Sequence, residues 1–446
     1  MAGAIGGAMR TLRASFAPMR IRNLRIYLGG QAVSLLGTWM QVTAQQWVVW
    51  ELSQSETALG VVAMLGMLPY LLLAPWAGAW ADRFDRRKLL IGLQLASMGL
   101  AVALALLVQT GVVQLWHVYL LAGLLGIVGA VDMPAQQAFI GDVAGMGEVR
   151  KAIVMNVIIL QISRMLGPAL AGWVINQLGV SPAFWINAVS FVAVVASLAA
   201  VRSEQVRRPA GGAALREFRD SLAFAWRNPR IIDLLTVTIL VTFFAMSTMQ
   251  IMPAFASKVL HAGPDALGLL MGSSGAGALF SALFVVPLAQ SQRLVGRTIG
   301  AAMLWAGAWL LLFSFSNTIW LSMLAIAMVS IGVPVVMTTT NGLLQLMAPP
   351  DMRARLISVM LMVGFGSQPL AALLMGRSAE LLGPQQAVLI SGSLLLTLTA
   401  AYFAFRPALR GWDLDSPAAP ASAPAAQTGP TIPLEDPGAA PLALAD

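Results

Sequence analysis

The stretch ALGVVAMLGMLPYLLLAPWAGAWADRFDRRKLL, residues 58 to 90, decides the fold. Residues 58 to 80 carry no charge, and the run is longer than the roughly 20 apolar residues that a helix needs to cross a bilayer. Residues 82 to 88 then bring two acids and four bases together. An apolar run that ends in a basic cluster is typical of a transmembrane helix that ends at the cytoplasmic surface.

The whole chain has the composition of a protein that crosses the membrane many times. Of its 446 residues, 58% are hydrophobic and only 10% are charged, and the mean hydropathy is +0.78. The net charge of +8 does not predict a nucleic-acid partner, because the basic residues lie at the ends of apolar runs. The absence of cysteine excludes disulfides, thiolate metal sites and cysteine nucleophiles.

Apolar runs of spanning length recur along the chain and predict an all-α polytopic membrane protein. Because the number of runs is even, both termini should face the same side of the membrane. We expect no cleaved signal before the first run and a disordered Pro/Ala-rich tail over 406–446. The twelve predicted spans are 28–50, 58–80, 89–108, 115–140, 152–178, 181–201, 231–255, 263–289, 298–316, 319–348, 356–382 and 385–405.

The basic residues predict the orientation of these spans. All lysines and arginines except Arg164, Lys258 and Arg377 fall in the N-terminal tail, the even-numbered loops or the C-terminal tail. Since cytoplasmic loops carry the excess of lysine and arginine, we expect both termini to be cytoplasmic.

The chain also repeats itself. RNLRI at 22–26 recurs as RNPRI at 227–231, and ALG at 58–60 recurs as ALG at 266–268. A repeat of six spans plus six is typical of the two pseudo-symmetric bundles that rock around a central site in secondary transporters. The predicted domains are a cytoplasmic tail (1–27), an N-terminal bundle (28–201), a cytoplasmic central loop (202–230), a C-terminal bundle (231–405) and a cytoplasmic tail (406–446).

The loop after the second span resembles motif A of the major facilitator superfamily, G-x-x-x-D-R-x-G-R-R/K. The matching residues are Gly78, Asp82, Arg83, Arg86 and Arg87, while Asp85 replaces the usual glycine. The resemblance implies a conformational latch that pairs the two bundles at the cytoplasmic side and releases them.

Further phrases, such as DMPAQQAFIGDV at 132–143 and GPALAG at 167–172, are similar to the branch of that superfamily that contains the enterobactin exporter and related bacterial efflux proteins. The resemblance implies a multi-pass protein of the bacterial inner membrane, a small-molecule substrate and a proton gradient as energy source. It also implies a monomer without a cofactor.

Helix 1 carries a polar stripe. Five side chains at spacings of three and four share one face, which must look into the protein or into water because lipid offers no hydrogen-bond partners. The resemblance implies that this face lines a substrate cavity together with residues of helices 7 and 10; the alternative is that it ties helices together. The predicted lining is Gln31, Ser34, Thr38, Gln41, Gln45, Phe243, Met246, Gln250, Asn341 and Gln345. Aromatic, methionine and amide groups suit an amphipathic solute such as a drug or a siderophore.

Two charges fall deep inside predicted spans, where an ionised side chain costs at least about 2.5 kcal/mol. Asp132 on helix 4 and Arg164 on helix 5 lie at similar depths and are predicted to pair. The pair has two interpretations: Asp132 is a proton site whose affinity changes during transport, or the pair is a static tie between two helices.

Asp233 follows Asn228 and Pro229 and is predicted to lie in the first turn of helix 7, where an acid suits the helix end.

Gly167, Pro168 and Gly172 resemble the core of motif C, the helix 5 signature of antiporters in the superfamily. This favours export by proton antiport over uptake by symport, although a generic helix kink would use the same residues.

The spans offer few groups from which to build a catalytic site, and the chain lacks a G-x-x-x-x-G-K-[ST] loop for nucleotide-driven pumping. The sequence therefore predicts a secondary transporter and no enzyme.

Overall fold

The computed structural model describes residues 20–145, 147–201, 222–290, 294–348 and 353–406, and these residues are almost entirely helical. The predicted tail over 406–446 and most of the predicted central loop lie outside the described residues, apart from Arg406 and a short helical segment at 222–227. The first six long helices are α1 (Arg22–Ser53), α2 (Glu56–Arg83), α3 (Arg86–Gln109), α4 (Leu115–Ala144), α5 (Val149–Leu178) and α6 (Ser181–Ala200).

Six more long helices follow. They are α7 (Pro229–Val259), α8 (the successive segments Pro264–Phe280, Ser281–Val285 and Val286–Gln290), α9 (Val295–Ser314), α10 (Ile319–Met347), α11 (Arg353–Leu382) and α12 (Pro384–Phe405). All twelve predicted spans therefore correspond to helices, most of which extend several residues beyond the prediction. A span predicted from hydropathy ends where the side chains become polar, whereas the helix itself continues into the interfacial region.

Eleven of the described helices are long and apolar enough to cross a membrane. The exception is α1, which has 32 residues but carries the polar stripe. Its polar side chains are compatible with a spanning helix because they face other helices, and Gln31, Ser34 and Gln41 are all buried.

Each half of the chain packs as a group of six helices. In the first, α1 packs on α5 and α6, α2 on α4, and α3 on α6 and α4; in the second, α9 packs on α10 and α12, and α8 on α10. The two groups meet along two lines of contact, between α5 and α8 and between α2 and α11. We call these the α5–α8 seam and the α2–α11 seam.

Both seams bring backbones into close contact at the end of the bundle where α1 finishes, which we call the far end; the near end is where α1 begins. A β-carbon on Gly60 of α2 would lie 2.6 Å from the carbonyl oxygen of Ala372, and one on Gly172 of α5 would lie 2.6 Å from that of Pro264. Gly268 likewise touches the carbonyl oxygen of Pro168, and Gly376 that of Glu56. Gly60 and Gly268 belong to the repeated ALG, so the repeat marks equivalent contacts between backbones, where only glycine fits.

Candidate functional site

A cavity of about 680 Å³ lies between the two groups of helices. The first group contributes most of the polar lining residues together with about as many apolar ones, and the second group contributes four apolar and three polar side chains. Polar or charged wall residues are Gln31, Ser34, Thr38, Gln41, Gln45, Gln46, Tyr70, Gln94, Ser97, Asp132, Gln136, Arg164 and Asn187 of the first group, with Gln250, Ser274 and Gln368 of the second. The apolar residues of the second group are Met246, Met249, Met271 and Phe365.

The polar stripe of α1 lies on this wall as the sequence predicts, because all five of its residues line the cavity. Two of them also bond to other helices: Gln31 Nε2 donates to Gln136 Oε1 of α4 at 2.8 Å, and Gln41 Oε1 accepts from Asn187 Nδ2 of α6 at 2.6 Å. The two interpretations of the stripe are therefore compatible, since the same side chains line the cavity and tie helices together.

Asp132 lies on the cavity wall within a row of amides. Gln94 of α3 donates to one carboxyl oxygen at 3.1 Å, and Gln136, one turn along α4, donates to the other. Because Gln136 also accepts from Gln31, the row joins α1, α3 and α4. The carboxyl group is thus held by neutral donors.

The predicted ion pair between Asp132 and Arg164 is wrong, since no ion pair joins them. The guanidinium of Arg164 lies over the ring of Trp39 of α1, 5.5 Å from its centroid, and Nη2 donates to Ser274 Oγ of α8 at 3.3 Å. Helix α1 packs on both α4 and α5; its Trp39 contacts Arg164 directly, whereas its Gln31 reaches Asp132 only through Gln136. Similar depth along two helices does not show which neighbouring helix each charged side chain meets.

Three predicted lining residues do not line the cavity. Phe243 packs edge to face on Phe244, with ring centroids 5.1 Å apart. In α7 the segments Thr242–Met246 and Phe255–Val259 are π-helical and Ser247–Ile251 is a 3₁₀ helix, so the helical spacing is irregular. Met246, Met249 and Gln250 of this helix line the wall. Asn341 and Gln345 lie in the last two turns of α10, where Gln345 donates to Asn341.

Several residues of the cavity wall are not predicted by the sequence patterns. Gln94, Met249, Met271 and Gln368 are single amides or methionines within apolar runs, and no spacing rule selects them. Gln136 is the exception: it lies four residues after Asp132 and therefore one turn away on the same face, which is a detectable signal.

The motif C residues have separate packing roles. Gly167 touches α1, where a β-carbon would lie 2.6 Å from Trp39 Cβ, whereas Gly172 touches α8. Pro168 lies inside the continuous helix α5 and contributes to the cavity wall. Helix α5 therefore approaches both neighbours closely.

The motif A loop is described in part. The surroundings of Gly78 and the side chains of Asp82 and Arg83 lie outside the described part of the structure. Asp85 caps α3 by accepting from the Lys88 backbone at 2.9 Å, which gives this departure from the motif a structural use. Arg86 donates to both oxygens of Asp142 on α4, and Arg87 donates to backbone carbonyls at the end of α6. These contacts lie within the first group of helices, so the latch stays a prediction.

Asp233 lies one residue beyond the first turn of α7, so its predicted position there is wrong by one residue. Its predicted neighbours are correct, since Asn228 caps the helix by accepting from the Arg230 backbone and Pro229 follows. Asp233 is buried, accepts from Tyr402 Oη at 2.5 Å and lies 3.4 Å from Arg406 Nε. It ties α7 to α12 away from the cavity.

The fold is shared with solved transporters. A bacterial homolog of the human lysosomal transporter Spinster superposes with a TM-score of 0.70 over 88% of this chain and 98% of that one, at 13% identity. Twelve long helices in two groups around a central cavity form the multi-pass membrane fold of the major facilitator superfamily. More particularly, residues 13–428 match the family described as transmembrane secretion effector, and the chain belongs to that family.

Curated relatives agree with this membership. The chain is 22% identical to the staphyloferrin A transporter of Staphylococcus aureus, covering 85% of this chain and 95% of that protein. It is 25% identical to the multidrug efflux pump Tap of Mycolicibacterium fortuitum, over 85% and 94%. A match at 27% to the uncharacterized transporter YfiS of Bacillus subtilis covers 58% of this chain and 63% of that protein.

Proposed function

We propose that this protein is a proton-coupled exporter that moves an amphipathic small molecule across the bacterial inner membrane by alternating access. The observation that carries the proposal is Asp132, the one carboxyl group on the described wall of the cavity, held by Gln94 and Gln136. The two amides are neutral, so the carboxyl group can take up or release a proton at the place where a substrate would bind.

The cavity geometry supports alternating access. Contacts between the two groups of helices run from the middle of the molecule to its far end, where glycines and an ion pair join them. With both termini cytoplasmic, as the basic residues predict, this is the state in which the substrate would enter from the cytoplasm. Export in particular is supported by the family's description, by the motif C resemblance and by the efflux pump Tap among the relatives.

Asp132→Asn tests the proton coupling. In inverted membrane vesicles we expect this variant to lose substrate accumulation driven by a proton gradient, because the amide cannot carry the proton, but to retain exchange of labelled for unlabelled substrate at saturating concentration. Candidate compounds come from growth inhibition and from cell accumulation with and without the protein, since cells that lack an exporter accumulate more of its substrate.

Glu51→Gln is the matched control, because Glu51 is exposed at the far end of α1 and bonds to Trp47 Nε1. It should transport normally. Unchanged proton-driven accumulation in Asp132→Asn would refute the role of Asp132, and lower cell accumulation in the deletion strain would favour uptake by symport.

A further inference from the structure

The cavity wall contains two charged side chains among the described residues, Asp132 and Arg164, and they are of opposite sign. Each lies on the wall without an ion pair to the other or to another described residue. Ionisable side chains within membrane-spanning segments are rare, usually pair with one another or with backbone carbonyls, and mark substrate or ion pathways. A ligand that supplies both partners would therefore be favoured over one that supplies neither.

The arginine is equipped to hold an anion. A guanidinium has five N–H donors, and Ser274 is the one hydrogen-bond acceptor that the described residues offer Arg164. Trp39 covers one face of the guanidinium and orients it, while the planar edge stays available for a carboxylate or a similar anion. Because Ser274 lies on α8, an anion bound here would touch both groups of helices.

Asp132 can hold a cation or a strong donor. Its two oxygens have about four acceptor positions between them, and the two amides use one on each oxygen. An ammonium group bound to the remaining positions would compete with a proton for the same carboxylate, which is the competition that exchange of substrate for protons requires.

Helix α1 relates the two sites. Trp39 contacts Arg164, and Gln31, eight residues or about 12 Å earlier on α1, contacts Gln136. Asp132 precedes Gln136 by one turn of the antiparallel helix α4, so the two charges are offset along the bundle by about 6 Å. Between them α1 presents neutral polar groups, and the opposite wall presents methionines. The space between the two sites thus suits an aromatic or aliphatic body.

We infer that the substrate is a zwitterionic amphipath whose anionic group binds Arg164 and whose cationic group binds Asp132, with an apolar body against the methionines of α7 and α8. This inference rests on the proposed transport function. It adds a substrate class, and it makes Arg164 a specificity-determining residue.

A matched set of ligands tests the inference on the purified full-length protein. The probes are 6-(aminomethyl)-2-naphthoic acid (zwitterion), 2-naphthoic acid (anion), 2-(aminomethyl)naphthalene (cation) and 2-naphthamide (neutral), which share one ring system. Isothermal titration measures their binding. We expect the zwitterion to bind about tenfold more tightly than either singly charged probe, the size of one charge-assisted hydrogen bond.

Substitutions then assign each end of the ligand. Arg164→Gln should weaken the zwitterion and the anion about tenfold without affecting the cation, and Asp132→Asn should weaken the zwitterion and the cation without weakening the anion. Arg164→Lys should keep part of the preference for the anion. The controls are Glu51→Gln and Arg297→Gln, both exposed and outside the cavity wall, which should leave all four affinities unchanged.

Folding of each variant is checked by thermal unfolding and gel filtration, so that lost binding is not confused with lost structure. Equal binding of all four probes, undetectable binding of all four at millimolar concentration, or an anion preference that survives Arg164→Gln would overturn the inference. Two-point binding without transport of the zwitterion in proteoliposomes would instead count against the proposed export alone.

Discussion

The two seams close the far end in different ways. Polar ties accompany the glycines beside the α2–α11 seam: Lys258 of α7 binds Glu56 of α2 at 2.7 Å, and Glu380 of α11 accepts from Ser55 Oγ and from the Thr57 backbone. At the α5–α8 seam the far end is closed by backbone contacts at Gly172 and Gly268. That seam has its polar contact halfway along, where Arg164 meets Ser274 beside the cavity.

The difference teaches which forces each seam uses. Close packing of small residues is short-ranged and is lost as soon as the helices separate, whereas an ion pair adds attraction and a hydrogen-bonding geometry. The repeated ALG gives both seams the same close glycine contact, whereas the polar contacts differ between the seams. We therefore expect the polar contacts beside the α2–α11 seam to adjust the stability of the closed far end. We expect ligand binding to affect that stability through the α5–α8 seam.

The largest effect should come from filling the glycine contacts. Gly268→Val would push into the carbonyl oxygen of Pro168, and Gly60→Val would push into that of Ala372. Overpacking costs about 1–3 kcal/mol, which would shift the equilibrium away from far-end closure roughly 5- to 150-fold. The chain has no cysteine, so a single Ala63→Cys on the cavity wall reports far-end opening by its labelling with an impermeant maleimide.

Both glycine variants should label faster from the far side. The control is Gly99→Val on α3, where an added β-carbon meets nothing within 4 Å, and its labelling should match that of the parent. Equal labelling in all three variants would show that the glycine contacts do not hold the far end closed.

The ion pair should have the next largest effect. Glu56 is 1% exposed and Lys258 is half exposed, so Lys258→Gln leaves a buried carboxylate without its partner, whereas Glu56→Gln leaves a lysine that water can solvate. We expect Lys258→Gln to speed labelling roughly 5- to 30-fold, equivalent to about 1–2 kcal/mol, and Glu56→Gln to have less effect. The double variant should resemble Glu56→Gln, because the two side chains form one interaction. Additive effects would contradict this account.

The smallest effect should come from Glu380→Gln. The glutamine oxygen can still accept a hydrogen bond from Thr57 or Ser55, so the substitution removes only the charge. Because the site is exposed, losing this charge should destabilise the closed far end by about 0.2–1 kcal/mol. Labelling should rise less than about fivefold, and the difference from the parent should shrink as salt is added. A larger effect than that of Lys258→Gln would reverse the ranking of the two ties.

Much of the fold could be predicted because hydropathy and helix period act locally. The span that contains Arg164 was predicted in spite of its charge, and the stripe from Gln31 to Gln45 was predicted from spacing alone, since one helix face is a property of consecutive residues. The irregular turns of α7 were not predicted, and the register of Phe243 was therefore wrong. Such turns need partners from other helices, as when Gln368 of α11 donates to the carbonyl oxygen of Thr242 at 2.6 Å.

The sequence by itself determined that the chain spans a membrane repeatedly, that its halves repeat and that two opposite charges lie deep within it. Only the tertiary structure decided what those charges contact. Lipid excludes unpaired polar groups from the outside of every helix, so the sequence reveals which side chains must face inward. Which helix each inward side chain meets depends on how the helices pack, and here α1 packs against both helices that carry the charges.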